Sequence, residues 1–167
     1  MIKILFVCLG NICRSTMAEA VARHKIAEAG LADMIKVDSA GTSDYNIGDP
    51  PHVGTREKLD ALGISYDGIF ARQITRRDFD TFDYIVVMDR ENYDDCKAVA
   101  ARDTHSKIRM LSEFAEGGTF PHGKDVPDPW HTGNFNLTYR LVASGCEGLL
   151  KHIKTLLPSG GRNEFFL

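Results

Sequence analysis

Apart from Lys3, the stretch Ile2 to Val7 is unbroken apolar sequence, six residues long, the mark of a short strand buried on both faces. Ser15 to Ala29 then reads as a helix. Alanines at 18, 20, 22, 27 and 29 favour it, and Gly30 stops it. Ile35 to Ser39 predicts a second strand, and His52 to Leu62 a second helix ending at Gly63. Tyr84 to Met88 predicts a third buried strand, followed by a helix through about Ala101, and Lys107 to Leu111 predicts a short fourth strand. The last helix has the clearest period. Leu137, Leu141, Val142, Cys146, Leu149, Leu150, Ile153, Leu156 and Leu157 recur every three to four positions until Pro158 ends the pattern. Strands and helices alternate throughout, which predicts an α/β fold: a doubly wound, mainly parallel sheet with helices on both faces. Residues 1–157 are expected to form one domain, and 158–167 a mobile tail in which Phe165 and Phe166 have the option of docking.

Composition narrows the function. A chain of 167 residues makes one domain, able to bury roughly 70% of its unfolded surface. Its 20 Lys and Arg against 23 Asp and Glu exclude a broad basic surface for nucleic acid. No apolar run approaches the ~20 residues that span a bilayer, so no membrane insertion is expected and the cytoplasm is the expected compartment. Thiols stay reduced there, and four cysteines are too few for a disulfide scaffold. Six histidines (24, 52, 105, 122, 131, 152) lack metal-ligand spacing, and Cys96 and Cys146 are too isolated to complete a zinc site with Cys8 and Cys13, so no metal or other cofactor is implied. Arg76, Arg77 and Asp78 read as a solvated helix start.

In a doubly wound sheet, ligands bind beyond the carboxyl ends of the strands. The loop after the first strand is Cys8-Leu9-Gly10-Asn11-Ile12-Cys13-Arg14-Ser15, which opens directly into a helix. A loop so placed aims backbone N–H groups and the positive end of the helix dipole at one point. Gly10 and Asn11 tolerate the left-handed backbone of a tight anion cradle. Arg14 adds a planar fork for phosphate oxygens, and Ser15 is placed to donate to a thiolate. Cys8, at the base, sits in the kind of field that lowers thiol pKa values to roughly 3.5–7.5 and makes a nucleophile without an adjacent base.

Residues 7–15, VCLGNICRS, resemble the signature of the low-molecular-weight protein tyrosine phosphatases. The resemblance continues through DSAGTSDYNIG (38–48), ARQIT (71–75), FDYIVVMD (82–89) and PDPW (127–130). It implies a four-stranded parallel sheet, metal-free hydrolysis of phosphomonoesters, and phosphotyrosine-containing proteins as substrates. It assigns Asp128, in Asp128-Pro129-Trp130, as general acid, and the two flanking prolines suit such a role by stiffening the loop. It further implies that Asn11, Ser15 and Ser39 brace the loop, that Tyr45 and Trp130 form an aromatic rim, and that Cys13 is able to form a reversible disulfide with Cys8. Simple packing is an equal reading for Cys13. Ile12 stands where phosphoarginine-specific relatives carry Thr, which favours phosphotyrosine. One departure is visible: the family often has His three residues before Arg72, and here Ile69 stands there, followed by Phe70. The loop is therefore expected to lack one brace and to be less rigid.

The mechanism that follows has two steps. Cys8 takes the phosphoryl group while Asp128 protonates the leaving phenolate, and Asp128 then activates water to hydrolyse the phosphocysteine. Three other classes fit less well. An arsenate reductase needs a further pair of close cysteines, and Cys96 has no neighbour. A sugar-transport phosphocarrier lacks the loop arginine and the Asp-Pro-aromatic acid. A catalytically dead phosphoprotein-binding module has no use for Cys8, Arg14 and Asp128 together.

Overall fold

The computed structural model describes residues 1–118 and 120–158; the expectations for Phe165, Phe166 and the rest of 159–167 lie outside the described residues. Four parallel strands form one sheet: β1 (Ile2–Cys8), β2 (Ile35–Gly41), β3 (Tyr84–Val87) and β4 (Ile108–Met110), in the order β2-β1-β3-β4. The helices are α1 (Arg14–Glu28), α2 (Val53–Leu62), α3 (Asp78–Thr81), α4 (Arg90–Val99), α5 (Pro129–Thr132) and α6 (Phe135–Lys154). The eight long elements match the sequence reading to within two or three residues at each end. Of the two four-residue helices, α5 does not appear in it and α3 appears only as the start marked by Arg76, Arg77 and Asp78, because one helical turn has no periodicity to detect.

β1 shows why its sequence is almost uniformly apolar. Ile4, Phe6 and Cys8 face a cluster built with α1 and α6, and Leu5 and Val7 face a second cluster that includes Phe79 and Cys96. Both faces are covered, so both parities must be apolar. Cys146 packs in the first cluster and Cys96 in the second, and burial pushes each thiol up to about 12, as for inert core cysteines. Close helix packing explains the small residues. Ala18, Ala20 and Ala22 are fully buried in α1, and a Cβ on Gly148 of α6 would run into the Phe114 carbonyl. A helix-interior glycine costs about 1 kcal/mol relative to alanine, and here it admits the backbone of the 3-10 segment Leu111–Phe114.

One reading is corrected. Arg76 and Arg77 are exposed, but Asp78 is only 8% exposed. Its carboxylate accepts from the Thr75 N–H at 2.7 Å and takes both terminal nitrogens of Arg72 at 3.0 and 3.1 Å. A charged residue at a helix start is solvated only when no partner reaches it, and Arg72 comes from outside that segment.

Topology places the site. β1 connects through α1 to β2 on one side, and the chain then crosses back to β3 on the other. β1 and β3 therefore flank the switch point of the sheet, and the carboxyl end of β1 opens into the crevice between them.

Candidate active site

The loop from Cys8 to Arg14 is held by its carbonyls. The Cys8 carbonyl accepts from Thr42 N–H, Leu9 from Ser43 N–H and Oγ, and Ile12 from His52 N–H at 2.7 Å. Cys13 accepts from the hydroxyls of Thr16 and Thr55. Among the described residues, no internal acceptor takes the N–H groups of Leu9 through Arg14. Carbonyls turned to the protein and N–H groups turned to the crevice make an anion cradle at the N-terminus of a 15-residue helix.

Two loop residues work differently from one another. Asn11 is the one non-glycine residue with positive φ among those described, at 57°, and its fully buried amide reaches three elements. It donates to Ser15 Oγ and Ser39 Oγ, each at 2.9 Å, and accepts from Arg72 N–H at 2.9 Å. Gly10 does not adopt positive φ. A Cβ there would lie 2.7 Å from the Asn46 amide nitrogen, so a larger residue at position 10 would make the Asn46 side chain shift.

The crevice, about 290 Å³, is lined by Cys8, Arg14, Asp128, Tyr45, Trp130 and Ile12, together with neighbouring loop residues. Cys8 is 2% exposed, with its sulfur 2.9 Å from Ser15 Oγ. Arg14 is 3% exposed. It donates to Asp89 Oδ2, to the Val126 carbonyl at 3.0 Å, and to Asp128 Oδ2 at 3.5 Å. Burial opposes its charge, but the Cys8 sulfur, Asp89 and Asp128 more than offset that and hold the guanidinium more firmly protonated than usual. Its Nε, buried and without a partner, leaves one donor for a ligand. Asp128 caps α5 by accepting from Trp130 N–H at 3.1 Å. Tyr45 and Trp130 stand 76% and 61% exposed.

Cys8 and Cys13 are both free thiols. Burial first, then Cys8 and Asp128, push the Cys13 thiol up to about 12 against the opposing pull of Arg14, so it stays protonated at neutral pH. No group of three His, Cys, Asp or Glu among the described residues has metal-binding geometry. No helix among them is long and apolar enough to cross a membrane.

These observations assemble a buried cysteine under a ring of backbone N–H groups, a fixed arginine and a carboxylate at the mouth. The family model for low molecular weight phosphotyrosine protein phosphatases matches residues 3–158. The chain belongs to that family. Its activity is that of the family, hydrolysis of phosphotyrosine and related aryl monoesters through a phosphocysteine intermediate. The phosphatase is 49% identical over 154 residues to the low molecular weight protein-tyrosine-phosphatase YfkJ of Bacillus subtilis, covering 92% of this chain and 97% of that one. It is 42% identical to PtpA of Staphylococcus epidermidis, over 92% and 94% of the two chains. The crystal structure of YfkJ superposes with a TM-score of 0.90 at 47% identity, covering 95% of this chain and 98% of that one.

Four residues of the site were not singled out by the sequence. Asp89, two residues beyond β3, grips Arg14 with one oxygen and caps α4 with the other, accepting from Asn92 N–H at 2.7 Å. An Asp before a helix was the available signal, but it is shared by ordinary caps. Asn46 packs over Gly10. His52 caps α2, stacks on Phe135 with ring centroids 5.2 Å apart, and meets Trp130 edge-on at 5.5 Å. Glu19, 7% exposed on α1, accepts from the Ser39 hydroxyl at 2.6 Å and closes the brace that Ile69 does not supply. Ile69 itself is buried in the first apolar cluster.

Burial pushes the Glu19 carboxyl from 4.5 up to about 6; Ser39, Arg23 and Arg72 pull it down, and Asp38 adds to the rise. The consequence for stability has a definite sign. Below pH 4.5 the carboxyl is neutral whether the chain is folded or not, and above about 6 the folded protein must bury a charge. Folding therefore loses on the order of 2 kcal/mol between those values. In urea unfolding, the stability of Glu19→Gln relative to the parent should rise by about that amount from pH 4.5 to 7. A difference that does not change with pH would show that Glu19 ionises without cost.

Proposed function

We propose that Cys8, Arg14 and Asp128 carry the reaction, on phosphotyrosine side chains of protein substrates. The observation that carries this reading is convergence: sulfur, guanidinium and carboxylate line one crevice at the sheet's switch point.

The phosphate dianion enters the cradle. The N–H groups of Leu9, Gly10, Asn11, Ile12, Cys13 and Arg14, with the Arg14 fork, hold its three non-bridging oxygens. The Cys8 thiolate attacks phosphorus opposite the ester oxygen. As the S–P bond forms the P–O bond breaks, and Asp128 delivers its proton to the departing phenolate. Asp128, now a carboxylate, takes a proton from water. The hydroxide attacks phosphorus, the S–P bond breaks, and inorganic phosphate leaves with the thiolate restored. Charge in both transition states lies on oxygens already facing fixed donors, so little reorganisation is needed. The Ser15 hydroxyl steadies the thiolate as attacking group and again as leaving group.

Specificity follows from depth. The sulfur is nearly sealed at the bottom of the cradle while Tyr45 and Trp130 stand out at its rim. A phenyl ring spans that depth and lies between the two aromatic side chains, whereas the shorter phosphoserine brings protein backbone against the rim. A panel of phosphotyrosine, phosphoserine and phosphoarginine peptides tests this. The expected kcat/KM for phosphotyrosine exceeds the others by at least about 100-fold, unchanged by a chelator. Chelator-sensitive turnover, or a preference for phosphoserine or phosphoarginine, would overturn it.

A further inference from the structure

The brace beneath the cradle ends on two groups of opposite role. The Asn11 amide cannot turn over, because its Oδ1 accepts from Arg72 N–H. It gives one hydrogen to Ser39 Oγ and one to Ser15 Oγ. Each serine, having accepted from Asn11, passes its own hydrogen outward. Ser39 gives to Glu19 Oε1 at 2.6 Å, and Ser15 Oγ lies 2.9 Å from the Cys8 sulfur, to which it gives its hydrogen when Cys8 is a thiolate. The hydrogen on the sulfur is thus directed by an amide whose other hydrogen is anchored, through one hydroxyl, on a buried carboxylate.

Among the described residues Glu19 has no ion pair to explain its burial. Arg23 on the same helix donates to the carbonyls of Asp67 and Ser65, and Arg72 on the facing loop is taken by Asp38 and Asp78. Asp38 on β2 is a like charge facing it. A carboxylate kept in such a place costs stability, and residues of that kind are retained at working sites.

We propose that Glu19 is a positioning residue for the reaction at Cys8: its carboxylate, through Ser39, locks the Asn11 amide that aims the Ser15 hydrogen at the sulfur. This rests on Cys8 being the nucleophile. When Glu19 is protonated, the Ser39 hydrogen loses its anionic acceptor and the Asn11 amide loses its anchor. Activity therefore falls on the acid side as Glu19, held near 6, takes up a proton.

The test is kcat and kcat/KM for phenyl phosphate from pH 4.5 to 8, on the full chain and on Glu19→Ala, Glu19→Gln and Cys8→Ser. The substrate's own ionisation is common to all four. Glu19→Ala should lose at least about tenfold in kcat at pH 7 with little change in KM. Glu19→Gln, which like the protonated carboxyl offers Ser39 only a neutral acceptor, should hold across the range the lower kcat that the parent shows below pH 6. Its acid limb should lack the ionisation near 6 that the parent shows. Superimposable pH profiles for the parent and Glu19→Gln overturn the proposal, even where Glu19→Ala is slow or fails to fold. Turnover by Cys8→Ser overturns instead the assignment of the nucleophile.

Discussion

Cys8→Ser is expected to lower kcat on phosphotyrosine by at least about 10⁴-fold while leaving the binding of inorganic phosphate intact. The substitution exchanges sulfur for oxygen and little else. Arg14 stays gripped by Asp89 and the Val126 carbonyl, and the loop carbonyls keep their donors, so the cradle survives. A serine hydroxyl stays protonated at neutral pH, and its one hydrogen-bond partner among the described residues, the Ser15 hydroxyl, is no base. Calorimetric titration with phosphate reads the binding, and steady-state turnover reads the chemistry. Loss of both together would mean that Cys8 holds the loop in shape rather than attacking. Retained turnover would remove it from the mechanism.

The second large effect belongs to Asp128. Asp128→Asn should lower kcat on phosphotyrosine by about 10²–10³-fold, and by much less on 4-nitrophenyl phosphate, whose leaving group departs without a proton. Asparagine suits the test because its amide oxygen still accepts from Trp130 N–H and keeps α5 capped. Arg14 loses a partner at 3.5 Å but keeps Asp89, so KM should change little. An equal loss for both leaving groups would point to the Arg14 contact, rather than proton transfer, as what Asp128 contributes.

Most of the site's inner ring was legible because it is local. Cys8, Gly10, Asn11, Arg14 and Ser15 lie within eight residues, and a strand running straight into a helix leaves the intervening loop one general shape. Asp128 had a hint of its own in the two flanking prolines, whereas the proposed rim of Tyr45 and Trp130 rested mainly on the family resemblance. An exposed tyrosine, or an aspartate beside a proline, carries no chemistry in itself. Glu19 was hidden for a different reason. On a helix where polar and charged residues slightly outnumber apolar ones, a glutamate looks like part of the solvated face, and α1 is instead covered along most of its length. The group that accepts from Ser39 also needed coordinates to find, since Glu19 lies 50 residues before Ile69 in the chain.

The sequence by itself determined the alternation of strands and helices, the buried β1, and the short loop from Cys8 to Arg14 between β1 and α1. Each depends on spacings of a few residues, which backbone geometry converts directly into direction. Only the tertiary structure decided who holds whom. Arg14 meets Asp89 and Asp128 across 75 and 114 residues, Asn11 meets Ser39 across 28, and Asp78 is buried by Arg72 rather than solvated. Those pairings depend on the strand order β2-β1-β3-β4, which brings the carboxyl ends of distant strands to one crevice. No local pattern encodes that order; it is set by which faces must be covered once the helices have packed.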